Sequence, residues 1–221
     1  MKDNLEISPF HEGEKTIQSK VGKRDAMENF GRRVIRSYMP EQHQAFYKQL
    51  PFLVVGSVDA QGWPWASILP GTPGFMESLT PSSLDINSPV LSGDPLQGSI
   101  SVGSPLGLLG IEIPSRRRNR LNARISQVKQ KGFSLKVDQA FGNCPQYIQT
   151  RDIQFVRDPM VKLDNQEIEH FTSLDNDATQ FIQAADTFFV SSYIKPAMKK
   201  SIFEKLAYVD CCMMLENQRY L

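Results

Sequence analysis

The 221-residue sequence has few cysteines, few histidines and almost no net charge. The formal net charge is +1 at pH 7, so no global electrostatic field draws the chain to nucleic acid or to an anionic membrane. Three cysteines, two of them adjacent, give no disulfide framework, and we therefore expect a cytoplasmic protein. The three histidines lack the spacing of metal ligands, which predicts that the chain has no metal site.

Long apolar runs and the common catalytic signatures are missing as well. No apolar stretch approaches the roughly 18 residues that span a bilayer, and the N-terminus has no apolar core of a secretory signal. We therefore expect no membrane association. The glycines form neither a P-loop nor a dinucleotide-binding pattern, and no nucleophile–histidine–acid arrangement is indicated. These patterns identify no catalytic residue, so the catalytic residues are unknown from the sequence.

The spacing of the apolar residues divides the chain into three parts. Apolar residues at helical spacing, such as Ile17, Val21 and Phe30, predict one or two helices after residue 14, and Pro40 begins another over 41–50. We expect residues 1–50 to form a helical segment that packs on a β core over 51–158. Residues 159–221 are expected to form a C-terminal helical region with an atypical tail.

Period-two alternation predicts strands through the middle of the chain. Residues 52–58 and 63–69 flank a turn at 59–62 and predict a hairpin, whose first strand is apolar on both faces and hence central. A long Pro-, Gly- and Ser-rich loop over 70–98 is expected to contain a strand at 83–86 and a helical turn after Pro95. Strands near 109–113, 121–125 and 133–137 predict an antiparallel meander.

The C-terminal part is predicted with mixed structure. We expect a strand over 152–156, a helix capped by Asp175 or Asp177, and a strand over 188–190. The apolar spacing between Ile202 and Met213 favours an amphipathic helix in the tail.

A dense arginine cluster is the strongest local feature, comprising Arg116, Arg117, Arg118, Arg120 and Arg124. If this stretch is a strand, Arg120, Asn122 and Arg124 point the same way at intervals of about 7 Å. Guanidinium groups suit phosphate oxygens, and asparagine adds a neutral donor. A solvated basic face explains the same pattern. A nucleic-acid patch is disfavoured by the near-zero net charge.

Two further clusters have both a functional and a structural interpretation. The compact segment from Gly142 to Tyr147 could bind a heterocycle through Asn143 and Gln146, or it could simply be a tight turn. Trp65 and Ser67 share a strand face with Trp63. That face could form an aromatic wall for a planar cofactor, or an ordinary core or interface tryptophan pair.

Taken together, these segments resemble the pyridoxamine 5'-phosphate oxidase-like flavin-nucleotide-binding proteins, in particular the branch that some bacteria fuse to a ferredoxin-reductase-type module. The resemblance covers roughly residues 9–192. It is carried by PFHEGE (9–14), QLPFLVVGSVDAQGWPWASILPG (49–71), GDPL (93–96), PLGLLGIEIPSRRRNRLNARI (105–125) and FGNCPQYIQTR (141–151).

The resemblance implies a mainly β, α+β fold: a six-stranded antiparallel split β-barrel with flanking helices. It also implies a homodimer with FMN at the subunit interface, its phosphate held by basic and hydroxyl side chains of barrel strands. The family's Gly-x-Pro-x-x-Ser strand matches Gly62, Pro64 and Ser67. The expected cofactor contacts are Trp65, Ser67, Arg118, Arg120, Asn122, Arg124, Asn143, Gln146 and Tyr147.

The implied function is an FMN-dependent oxidoreductase that passes electrons or hydride between the flavin and a small substrate, or a reductase or ferredoxin-type redox partner. The tail after Tyr193 departs from the family pattern and suggests a divergent or truncated member. The alternative is therefore a non-catalytic flavin- or haem-binding protein, or an interaction module.

Overall fold

The computed structural model describes residues 8–144, 148–161, 168–169, 171–185 and 187–194, and the backbone of 208–214. Its fold is mainly antiparallel β with flanking helices, as expected. The helices are α1 Glu12–Lys20, α2 Arg24–Val34, α3 Glu41–Gln49, α4 Leu96–Ser99 and α5 Asn176–Ala184. The strands are β1 Phe52–Val58, β2 Pro64–Pro70, β3 Met76–Glu77, β4 Ser83–Ile86, β5 Pro105–Glu112, β6 Arg117–Lys129, β7 Gly132–Asn143, β8 Phe188–Ile194 and β9 Tyr208–Met214. A short 3₁₀ helix, Ile113–Ser115, joins β5 to β6.

Seven strands form one sheet in the order β2-β1-β5-β6-β7-β4-β3. The predicted hairpin and meander are confirmed, and β1 is central and buried as expected. The sheet is open, with β2 and β3 at its edges, so closure into a six-stranded barrel is not confirmed by the described pairings. A separate two-stranded hairpin consists of β8 and β9.

One side of the sheet, which we call the inner face, carries Val55, Leu108 and Leu121 opposite one another. These side chains belong to the main hydrophobic core, to which α3 contributes Phe46 and Tyr47. The helix approaches β5 closely because Gly110 has no side chain: a Cβ there would lie 2.8 Å from both Leu50 and Tyr47. Helix α3 therefore packs on the inner face, and its buried side chains belong to the core of the sheet.

The other side, the outer face, carries Val54, Leu109 and Arg120 in one row across three strands. Its apolar part forms a smaller core of Val54, Leu109, Ile111 and Ile148, with Phe189 of β8 packed against it. The β8–β9 hairpin covers β1, β2 and β5 here. The polar part of the same face lies on β6 and β7.

Two predictions for the C-terminal part are wrong. Residues 152–156 form no strand, and residues 208–213, predicted as helix, belong to strand β9, which pairs with β8 along its whole length. The spacing of apolar residues in a short run does not distinguish a helix from a strand. Here, pairing with β8 makes residues 208–214 a strand. The short strand β3 was not predicted, because two residues carry no alternation. Among the described residues, no helix is long and apolar enough to cross a membrane.

Candidate functional site

Strand β6 presents its basic residues on the outer face. Along the strand, Asn119, Leu121, Ala123 and Ile125 are buried on the inner side, and the residues between them are partly exposed. The prediction that Arg120, Asn122 and Arg124 share one face is therefore confirmed. Their neighbourhoods differ, however: Arg120 and Asn122 line one cavity that does not include Arg124.

Arg120 and Asn122 line a cavity of about 420 Å³, which we call the polar cavity. Neighbouring β7 contributes Gln139 and Phe141, which lie directly across from them. The remaining walls come from the N-terminal segment and from the end of β8. They include Pro9, Phe10, His11, Glu14, Ile35, Ser192, Tyr193 and Ile194. The polar cavity thus combines one arginine, two amide side chains and three aromatic rings.

Hydrogen bonds join the N-terminal wall of the polar cavity to its floor. The side-chain amide of Asn122 donates to Oε1 of Gln139 (3.0 Å), and Nε2 of Gln139 donates to the carbonyl of Pro9 (3.2 Å). Phe10 packs over Gly31 of α2, where a Cβ would come within 2.5 Å of its ring. The wall therefore depends on residues far apart in sequence.

A partly buried ion cluster on α2 also fixes the N-terminal segment. Glu28 of α2 accepts hydrogen bonds from Ser8 (2.6 Å) and Arg24 (2.6 Å), and it pairs with Arg32 (2.7 Å). Burial raises the pKa of Glu28, but these hydrogen bonds and the two arginines outweigh it, so the pKa lies below its ordinary value. The carboxylate thus stays ionised and keeps residue 8 against α2.

His11 is the N-cap of α1 and Glu14 lies in its first turn, and both residues line the polar cavity. Nδ1 of His11 accepts hydrogen bonds from the backbone amides of Gly13 and Glu14, while the Glu14 carboxylate accepts from the His11 amide (2.8 Å). This reciprocal arrangement is a capping box. Both side chains therefore stabilise the helix start as well as lining the cavity.

The remaining members of the arginine cluster have other contacts. Nε of Arg118 donates to the carbonyl of Cys144 (2.5 Å), beyond the end of β7. Arg124 pairs with Asp138 (3.2 Å), the extra residue of a β-bulge opposite Asn122 and Ala123. Burial raises the pKa of Asp138 above its ordinary value, although Arg124 and Lys136 lower it. Neither Arg118 nor Arg124 lines the polar cavity.

The other predicted contacts divide into three groups. Asn143 accepts a hydrogen bond from the Cys144 amide (2.9 Å), which fits the turn interpretation. Gln146 and Tyr147 lie outside the described residues. Trp65 and Ser67 lie on the inner face, opposite Ser57 and Val55, and thus across the sheet from Arg120.

Hydrogen bonds also explain the positions of Trp65 and Ser67. Nε1 of Trp65 donates to Asp59 in the hairpin turn (2.8 Å), and the Ser67 hydroxyl donates to Asp94 (2.6 Å). Neither residue lines the polar cavity. Within one chain, therefore, they do not join Arg120 and Asn122 in a single site.

Sequence reasoning did not name Phe10, His11, Gln139, Phe141 or Tyr193 as site residues. Two signals were available: the PFHEGE segment carries the family resemblance, and Gln139 and Phe141 alternate along a strand that pairs with the arginine strand. Which residues contact a cofactor stays a prediction. Among the described residues, no group of three or more His, Cys, Asp or Glu side chains could hold a metal ion.

Comparisons with known proteins do not identify a family for this chain. No protein-family model matches the chain, and no curated protein matches it. Two crystal structures of HupZ from Group A Streptococcus, one of them a point variant, are each 14% identical to this chain. The variant covers 48% of this chain and 99% of its own, with a TM-score of 0.37. The other covers 52% and 100%, with a TM-score of 0.38. At such TM-scores we infer nothing about function from these matches.

Proposed function

We propose that this chain binds FMN non-covalently and that the polar cavity takes the phosphate end of the flavin. The observation that carries the proposal is the pairing of Arg120 and Asn122 in one cavity of about 420 Å³. A guanidinium group suits phosphate oxygens, and the cavity volume lies in the range of small-molecule sites. The family resemblance supports the same cofactor.

The lining of the cavity offers both a cationic side chain and aromatic rings. Arg120 would hold the phosphate, and Phe10, Phe141 and Tyr193 offer ring faces and edges for the heterocycle. Glu14 also lines the cavity, and its carboxylate disfavours a second phosphate close to the first.

The proposed activity is that of an oxidoreductase. A bound flavin supplies the hydride or electron transfer, and the protein orients it and keeps water away. No described side chain of the cavity is needed as a general acid or base for such a transfer. We further propose a cytoplasmic homodimer with a six-stranded split barrel, working with a reductase or ferredoxin-type partner.

The absorption spectrum of the purified chain tests this function. We expect the bands of oxidised flavin, either as isolated or after addition of FMN and gel filtration, and release of the flavin on denaturation. FMN fluorescence should be quenched on titration with the folded protein. A colourless protein that leaves added FMN free and fully fluorescent would contradict the proposal.

A haem carrier is the second candidate. His11 and Tyr193 both line the polar cavity, and histidine and tyrosine are side chains that ligate haem iron in proteins. The same spectrum separates the candidates, because a haem protein has an intense Soret band and no flavin fluorescence. Saturable binding of haem with no uptake of FMN would favour a haem carrier over an FMN-binding protein.

A further inference from the structure

A second cavity, which we call the apolar cavity, lies on the outer face of the sheet. It measures about 310 Å³ and is lined by five isoleucines, two phenylalanines, Thr187, Gln149 and Arg151. These residues come from β1, β2, β5, the 3₁₀ helix, segment 148–153, and β8 with the residue before it. The apolar cavity shares no lining residue with the polar cavity, although β8 contributes to both.

The apolar cavity has a closed floor and an open mouth. Ile111 and Ile148 are almost fully buried and belong to the smaller core. Ile68 and Ile153 are 44% and 37% exposed at its rim. Apolar side chains gathered around an opening, above a floor that is already formed, are typical of a ligand site.

The lining of the apolar cavity includes one charged side chain, that of Arg151. Arg151 is exposed, and its Nη2 donates to Oε1 of Gln149 (2.6 Å), so the two polar side chains lie together. The residues that line this cavity include no aspartate or glutamate. A guanidinium beside an apolar pocket recognises a carboxylate better than a neutral head group.

We propose that the apolar cavity binds a small amphiphilic carboxylate, with its hydrocarbon part against the isoleucines and its carboxylate on Arg151. The volume of about 310 Å³ lies at the lower end of the range of small-molecule sites, which suits a short-chain ligand such as octanoate. This site is independent of the flavin proposal, because the two cavities have separate linings.

Calorimetric titration of the full chain with octanoate tests the site, with octanol as the neutral analogue. We expect saturable binding of octanoate with a Kd of about 1 mM or below, a negative heat-capacity change, and binding of octanol about tenfold weaker. Equal binding of the two molecules, or no octanoate binding in the millimolar range, would overturn the proposal.

Matched variants locate the site. Arg151→Gln should weaken octanoate about tenfold and octanol hardly at all, whereas Arg157→Gln, exposed and outside the cavity, should change neither. Ile153→Asn should weaken both molecules, and Val156→Asn, at a 99% exposed position outside the cavity, should not. If each variant and its control behave alike, the ligand is not in this cavity.

The titration also separates this proposal from the flavin proposal. Octanoate should bind with the same affinity, within about threefold, in the absence of FMN and at an FMN concentration that saturates any flavin site. Binding of octanoate by a chain that takes up no FMN would support the apolar site and contradict the flavin proposal. Displacement of octanoate by FMN would contradict two separate sites.

Discussion

At the scale of single residues, the arginines between 116 and 124 have different surroundings despite their similar sequence context. Arg117 lies 5.2 Å from the ring centroid of Phe46 on the inner face, while Arg118 and Arg124 bind Cys144 and Asp138. Arg120 is the member of the cluster that lines the polar cavity. Within this cluster, therefore, Arg120 lines the polar cavity, while Arg117, Arg118 and Arg124 have contacts elsewhere in the fold.

Alternation along β6 was enough to predict which side these residues face, because side chains alternate along any strand. It could not predict their partners. Asp138 reaches Arg124 only because a bulge adds a residue to β7, and Gln139 reaches Pro9 across 130 positions of sequence. Contacts of that kind depend on strand register and on distant segments, which one sequence does not reveal.

Gly110 gives the clearest prediction about packing. We expect Gly110→Ala to lower the free energy of unfolding by about 1–3 kcal/mol, because the new Cβ would overlap Leu50, Tyr47 and Phe46. Gly98→Ala is the matched control, since a Cβ there meets nothing within 4 Å. Urea unfolding measures both. Equal stability of the two variants would mean that α3 does not lie this close to β5.

His43 predicts a pH dependence. Burial lowers the pKa of His43 below its ordinary 6.5, and Arg36 and Arg117 lower it further. The unfolded chain therefore takes up the proton first, so this contribution to stability is complete above about pH 6.5 and is lost as the pH falls below it. Urea unfolding between pH 7.5 and 5 should show this loss, and His43→Gln should reduce it. An unchanged loss in the variant would exclude His43 as its source.

At the scale of elements, strongly patterned segments were predicted well. Strands β1, β2 and β4, the meander β5–β7 and the Asp175-capped helix α5 follow from alternation, turn residues and caps. The tail was mispredicted because β9 depends on β8 as its partner. The N-terminal wall of the polar cavity could not be predicted, because segment 8–11 is irregular and is positioned by α2 and β7.

That wall gives a prediction at the same scale. Gly31→Ala would place a Cβ within 2.5 Å of the Phe10 ring and should push segment 8–11 away from the sheet. We expect faster proteolysis near residue 10 and weaker FMN binding, with little change in the core. Asn29→Ala, at an exposed position of the same helix, is the control. Undiminished protease resistance in Gly31→Ala would contradict the described packing of the wall.

At the scale of the whole molecule, the expected flavin contacts lie on two opposite faces of the sheet, which bears on whether the chain forms a dimer. Trp65, 43% exposed, and Ser67 lie across the sheet from Arg120, so one chain does not gather all the expected flavin contacts. In the homodimer that we propose, a second copy brings its own residues to the polar cavity. Exposed apolar side chains on α1, α2 and α5, such as Ile17, Phe30 and Phe181, leave surface for such a contact.

We therefore expect a homodimer in solution. Sedimentation equilibrium or light scattering should give twice the 25.0 kDa of the chain at micromolar concentration, with and without FMN. A particle of 25.0 kDa under both conditions would exclude a site shared between two copies. Such a monomer could still bind FMN in the polar cavity alone.

The affinity of FMN for Arg120→Gln, compared with Arg124→Gln, tests the central proposal most directly. Both changes remove one guanidinium from the same face of β6, but only Arg120 lines the polar cavity. Fluorescence titration should show that Arg120→Gln weakens FMN binding by about 1.5–3 kcal/mol, a factor of about 10 to 150, while Arg124→Gln changes it less than about threefold. Equal losses in the two variants, or none in either, would contradict a flavin phosphate on Arg120.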